Sequence, residues 1–197
     1  MLNRILGLLI LLVLLIGGGI WYAKRQIDPP VDTIVASSLE SLHEQNQLSA
    51  FAARFVTVVT SRKEQLGFAA EKTLIVPAMV RYQVDLSKLT REDVTWDTAS
   101  RTLSVKLPPV GISGPEFALE QTREYGSGAV LMALTDVEQV LDRENRDKAR
   151  ADVLKQAQAA TMLRLAQDAT KRAVAQSFAL PLAATGIDAK VEVEFAK

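Results

Sequence analysis

The sequence contains no cysteine and a single histidine, His43. Without cysteine there are no disulfides, no thiolate nucleophile and no lipid-modified cysteine, and either redox compartment suits the chain. One histidine and no thiol leave no zinc or copper site of the usual kind. A Ser–His–Asp system would depend on His43, which stands near Glu40 and Glu44 in a polar stretch and reads as an exposed helix residue. Gly111-Ile-Ser-Gly114 and Gly126-Ser-Gly128 both miss the G-x-S-x-G spacing, and no phosphate loop or dinucleotide fingerprint is present. Gly126-Ser-Gly128 reads instead as a hinge or helix break.

Charge of one sign is also lacking: 23 basic side chains face 23 acidic ones. Residues 1–25 hold three of the basic residues and none of the acidic ones, so the remainder carries a net −3. That balance excludes the concentrated basic face of a nucleic-acid binder.

What is present is one long apolar run. No charged side chain occurs from Ile5 to Ala23, and twelve of the sixteen residues Ile5–Ile20 are Leu, Ile or Val. At about −0.3 to −0.6 kcal/mol each, those twelve supply roughly −4 to −7 kcal/mol of insertion energy. A helix of that span is about 28 Å long, close to a hydrocarbon core of about 30 Å. A cleaved signal peptide is the competing reading, with Gly17-Gly18-Gly19 near a possible cut. The run is longer than a usual signal core, and Trp21-Tyr22 suits a membrane interface better than a cleavage site. The expected organisation is an anchor at 1–23, a Pro-containing spacer at 24–32 and an α+β domain at 33–197. Arg4 on one side nearly balances Lys24 and Arg25 on the other. The four-residue tail favours an amino terminus inside and a domain outside.

Along the domain, Ser37-x-x-Glu40 has capping-box spacing and predicts a short helix to about Asn46. Phe51–Thr60 reads as a strand. Thr73–Val84 is a clear one, with Leu74, Val76, Ala78, Val80, Tyr82 and Val84 on one face. Pro77 predicts an edge or a bulge there. Asp93–Trp96 and Thr102–Leu107 form a hairpin stopped by Pro108-Pro109, with Leu103, Val105 and Leu107 facing in. Ser113-Gly114-Pro115-Glu116 predicts a helix to about Tyr125. Thr135-x-x-Glu138 starts a second helix that runs to Leu180, where Pro181 ends it. On that helix Asp142–Arg146 and Glu144–Lys148 have the favourable i,i+4 order. Leu154, Met162, Leu165, Ala169 and Ala173 make its apolar stripe. Gly186 turns the chain, and Ile187, Ala189, Val191, Val193 and Phe195 alternate as a last strand. A mixed or antiparallel sheet of about four to six strands, covered by the long C-terminal helix, follows.

Glu116, Glu120 and Glu124 recur every four residues and share one face of the expected helix. With Asp85 they are the first candidates for carboxylate chemistry. A solvated acidic face with Arg123 beside it accounts for the glutamates better, and a turn or a capped backbone amide accounts for Asp85. No catalytic, cofactor-binding or metal-ligating residue is therefore assigned.

Several segments together resemble domain-of-unknown-function family 4230. They are strand Thr73–Val84 running into Asp85-Leu86-Ser87-Lys88-Leu89, strand Thr102–Leu107 ending in Leu107-Pro108-Pro109, the alanine-rich helix, and the closing Gly186-Ile187-Asp188. The resemblance covers roughly residues 33–195. It implies a bacterial protein with an N-terminal membrane anchor and brings no activity or site residues. A glycine often stands two positions before the Asp-Leu pair in that family, where this chain has Gln83. The layout is also similar to the stomatin and prohibitin membrane scaffolds, an analogy that does not fix function.

The sequence thus points to a membrane-tethered, non-enzymatic binding or assembly domain. It would reach the membrane through residues 5–23 and a protein partner, or a second copy, through the alanine-rich helix 149–179. A carboxylate hydrolase, with or without a divalent cation, is the alternative. Binding of a small apolar or lipid ligand between sheet and helix is a third reading.

Overall fold

A computed structural model describes residues 31–196, together with residues 13, 14, 16 and 17. The expected anchor and spacer fall almost entirely outside the described residues. Among those residues no helix is long and apolar enough to cross a membrane.

Helix α1 (Val31–Glu44) leads into a long hairpin of β1 (Gln47–Gln65) and β2 (Phe68–Asp85). After β2 come β3 (Val94–Asp97), β4 (Thr102–Leu107), β5 (Gly111–Phe117) and β6 (Arg123–Ser127). Helices α2 (Ala129–Leu134), α3 (Val137–Ala157) and α4 (Ala160–Ala184) then precede β7 (Lys190–Phe195). The architecture is α+β, as the alternation pattern implies, but the strands form two sheets. In the larger, antiparallel sheet β2 is central, with β1 on one side and β5 and β6 end to end on the other. In the smaller, β4 pairs antiparallel with β3 and parallel with β7.

The hairpin is longer than the sequence pattern suggests, because its turn carries no Asn-Gly signal. Leu66 (φ 56°) and Gly67 (φ 77°) both take left-handed conformations, as a two-residue type I′ turn requires. The six inward residues of β2 listed above are all buried. Pro77 is nonetheless neither at an edge nor in a bulge. It sits where β6 pairing, which ends at Ile75, gives way to β5 pairing, which begins at Ala78. Its missing N–H faces that junction, while its carbonyl accepts from the Ala118 N–H at 2.9 Å. A proline is tolerated in a central strand here because the neighbouring strand changes at that point.

Other expectations are corrected. Residues 113–125 form no helix: Ser113–Phe117 belongs to β5, Leu119–Gln121 is one 3-10 turn, and Arg123 opens β6. Ser37-x-x-Glu40 lies inside α1, where the Ser37 hydroxyl donates to the Ile34 carbonyl instead of capping a helix start. The long helix breaks at Gln158–Ala159, with Ala159 extended (ψ 138°). Pro181 does not end α4, which runs to Ala184. The proline forfeits the bond to the Ser177 carbonyl, but Phe178 and Leu182 on either side are fully buried and hold the last turn in place. Gly186 (φ 80°) closes the helix: its N–H donates to Ala183 O and that of Ile187 to Leu182 O, a Schellman arrangement.

The buried stripe also differs in phase. Val137, Leu141, Asn145, Ala149, Val153 and Ala157 on α3, then Ala166, Thr170, Val174, Phe178 and Leu182 on α4, are buried at every fourth position. Leu165, one residue off this row, stays exposed. A strict period of four rotates the row about 40° per step, so it winds around each helix along the i±4 ridge and follows the twisted hairpin beneath. Successive inward residues of β2 meet successive rungs of that ridge. Ala70 packs with Leu131, Val137 and Leu141; Leu74 and Val76 with Ala149; Ala78, Val80 and Tyr82 with Val153, Ala157 and Ala166. Val84 joins the last core, shared with α1, β3, β4 and the end of α4.

Candidate functional site

Of the carboxylates named from sequence, only Glu124 reaches a cluster. Glu116 pairs with Arg81 on the outer face of the sheet. Glu120 lies on the exposed 3-10 turn and accepts from Gln121. Asp85 caps the turn after β2, accepting from Ser87 and pairing with Lys88 at 3.1 Å. Those bonds, from Ser87 first and Lys88 second, hold its carboxyl below the usual range. His43 donates its ring Nε2–H to the Leu89 carbonyl.

The cluster that does form is centred on Lys72, a residue the β2 alternation places inward but that sequence reasoning passed over. Its side chain is 11% exposed, and its Nζ lies 2.6 Å from Asp142, 3.0 Å from Glu124 and 3.4 Å from Glu138. Three elements, β2, β6 and α3, converge on one ammonium. Burial opposes the charge; the hydrogen bonds from Asp142 and Glu124 outweigh it and raise the Lys72 pKa above the ordinary lysine value. The lysine therefore stays charged at neutral pH and serves as the counter-ion of the three carboxylates. Among the described residues no set of three His, Asp or Glu side chains is arranged to hold a metal ion.

The expected helical ion pairs are rerouted by the sheet. Lys72 takes Asp142, so Arg146 has no carboxylate within 4.0 Å among the described residues. Lys63 takes Glu144 at 2.7 Å, and Lys148 donates to Thr60 O and Ser61 Oγ on β1.

Beside the Lys72 cluster lies a cleft of about 380 Å³ between α3 and the sheet. Leu74, Val76, Phe117 and Ala149 form its apolar lining, with Leu119 and Thr122 at the mouth. Asp142 and Glu124 mark one end; Arg146, Asp147 and Arg150 line the helix side. Asn145 also lines the cleft. It is 1% exposed; its Nδ2 donates to Lys72 O at 2.8 Å, and its Oδ1 accepts from nothing among the described residues. The volume falls within the range of about 300–1,000 Å³ typical of ligand pockets. The cleft exists because Ala149 and Asn145 are the short rungs of the α3 row, set over Leu74 and Val76. No motif marks it, and only the phase of the helix against the strand could have located it.

Gly128 closes the structure behind this cluster. It has φ 90°, and a Cβ there would lie 2.3 Å from the Ala69 carbonyl oxygen and 2.6 Å from Ala70 Cα. Gly126 and Ser127 belong to β6, so no helix is broken there, and Gly128 turns the chain from β6 into α2.

The geometry defines a class: an α+β domain built on a long hairpin, with a lysine-centred acid cluster beside an apolar cleft. The chain belongs to the family described as Protein of unknown function (DUF4230), whose model matches residues 40–193. No curated protein and no solved structure matches it.

Proposed function

We propose that this chain is a single-pass, membrane-tethered domain of the bacterial cell envelope that binds a partner molecule without chemistry of its own. The cleft between α3 and the sheet carries this reading. It is apolar within and bordered at one end by the Lys72 cluster, a surface suited to recognition. The apolar run 5–23 supports the tether. The four carboxylates that motivate a hydrolase are spread over the sheet's outer face, a turn and the Lys72 cluster, so they offer that reading no shared pocket.

Assembly is the second reading, favoured by a separate observation. The sheet's outer face leaves Val56, Val58, Met79 and Tyr125 exposed, and among the described residues β1 is paired on one side only. Contiguous exposed apolar surface marks interaction sites. In the alanine-rich segment, Ala149, Ala157 and Ala166 are spent on the sheet, while Leu165 and Leu180 remain outward on α4 as the contact for a partner or a second copy.

Chemical crosslinking of the full chain in native membranes tests both readings, with Ala149→Trp filling the cleft and Val58→Glu altering the outer face. Binding in the cleft predicts an adduct lost in Ala149→Trp and kept in Val58→Glu. Assembly predicts the reverse. A chain that is monomeric and free of adducts at native abundance overturns both.

A further inference from the structure

Beyond the reading that the cleft binds, on which this inference rests, its residues specify what it binds. The two ends of the cleft differ in charge state. Asp142 and Glu124 are committed to Lys72. Arg146 and Arg150 are not committed to any carboxylate within 4.0 Å among the described residues, and both line the cleft. They stand four residues apart, hence on one face of α3 and about 6 Å apart along its axis. Two like charges so placed repel each other slightly, and an anion between them relieves that repulsion; guanidinium groups bind carboxylate and phosphate through paired N–H donors. Asp147 is the one other carboxylate on the rim, so the Arg146–Asp147–Arg150 stretch keeps one positive charge in excess. Below it the lining is Leu74, Val76 and Phe117. At about 30 Å³ for a water-sized group, the cavity holds roughly a dozen such groups.

We propose that the cleft is a site for a single-chain anionic amphiphile, whose carboxylate or phosphate head lies between Arg146 and Arg150 and whose alkyl chain lies over Leu74, Val76 and Phe117. The lysine is what makes this possible. By drawing Asp142 across to β2, Lys72 removes the helical partner that Arg146 would otherwise have.

The test is photo-crosslinking of the full chain in phosphatidylcholine nanodiscs. The probes are diazirine-bearing C12 carboxylic acid, C12 alkyl phosphate and C12 alcohol, with labelled residues mapped by mass spectrometry and labelling of residues 5–23 as internal reference. Both anions are expected to label the cleft at least tenfold more than the alcohol. Arg146→Gln/Arg150→Gln, at exposed positions, removes that preference, and Ala149→Trp removes labelling by every probe. Preference for only one anion identifies the head as free fatty acid or as phosphate ester, within the proposal. Equal labelling by alcohol and anions, lost in Ala149→Trp, overturns the anionic class but leaves a binding cleft. Absence of cleft labelling by all three overturns the inference and the cleft reading together. An anion preference that survives the double arginine change overturns the head-group assignment.

Discussion

The two long helices bury the same row, every fourth residue, yet one makes a cleft and the other a solid core. On α4 the row ends in Val174, Phe178 and Leu182, which fill the space against α1 and the small sheet. On α3 its middle rungs are Asn145 and Ala149, which leave about 380 Å³ above Leu74 and Val76. The spacing sets where each helix touches the sheet, and the size of the side chains on that spacing sets whether anything else can enter. Polar groups follow the same division. The α4 row has a single polar member, Thr170, which is satisfied within its own helix by donating to Ala166 O. The α3 row borders Lys72 and leaves one amide oxygen unpaired.

Removing bulk from the solid end is expected to have the largest effect. Phe178→Ala should destabilise by about 3–5 kcal/mol in chemical denaturation, since the side chain is fully buried and the hole cannot collapse. A loss under about 1 kcal/mol would mean that the α4 end is packed no more tightly than the cleft.

At the other end, Lys72→Met should cost about 3 kcal/mol, because three carboxylates would face one another without their counter-ion. Their partial exposure keeps the loss towards the lower end of that range. The same pair sets an alkaline limit. The folded Lys72 pKa lies above its unfolded value of 10.5, so its contribution is complete below pH 10.5 and fades as pH rises beyond it. Wild-type stability should therefore fall above that pH more steeply than that of Lys72→Met; parallel curves would show that the cluster adds nothing.

Tyr82→Phe should have the smallest effect, about 1–2 kcal/mol. The phenol donates to Ala157 O at 2.8 Å, at the point where α3 stops. If that bond holds the break in place, amide exchange in the change should rise around Gln158–Ala159 ahead of the rest of either helix.

That break shows why part of the fold was not legible in the sequence. Ala157-Gln-Ala-Ala-Thr161 contains nothing but tolerated helix residues, and the side chain that meets the break is Tyr82, 75 positions away. The inward face of β2, the β3–β4 hairpin and the final strand were legible, because alternation of period two is a local signal. The helix expected at 113–125 does not form because Ser113-Gly114-Pro115-Glu116 is drawn into a strand that pairs with β2 at long range, which no local motif shows. The stripe was misread by one residue, since Leu165 outranks Ala166 in hydrophobicity while the closely approaching sheet admits only the alanine. The site was the least legible feature. Its lysine, asparagine and alanine come from two segments, and each is unremarkable until the register of β2 against α3 brings them together.

The parallel pairing of β4 with β7 carries a consequence for how the chain is made. Thr102 meets Lys190 and Leu107 meets Phe195, so the small sheet acquires its third strand only after every other described element has been synthesised. The core beneath it also takes Val174, Phe178 and Leu182 from α4 and Ile34, Val35 and Leu42 from α1. Helix α1 therefore waits for α4 before its apolar face is covered, while the β1–β2 hairpin can close early on contacts near in sequence. Termination anywhere before α4 would leave that early helix exposed, which makes the late helix the checkpoint of this fold.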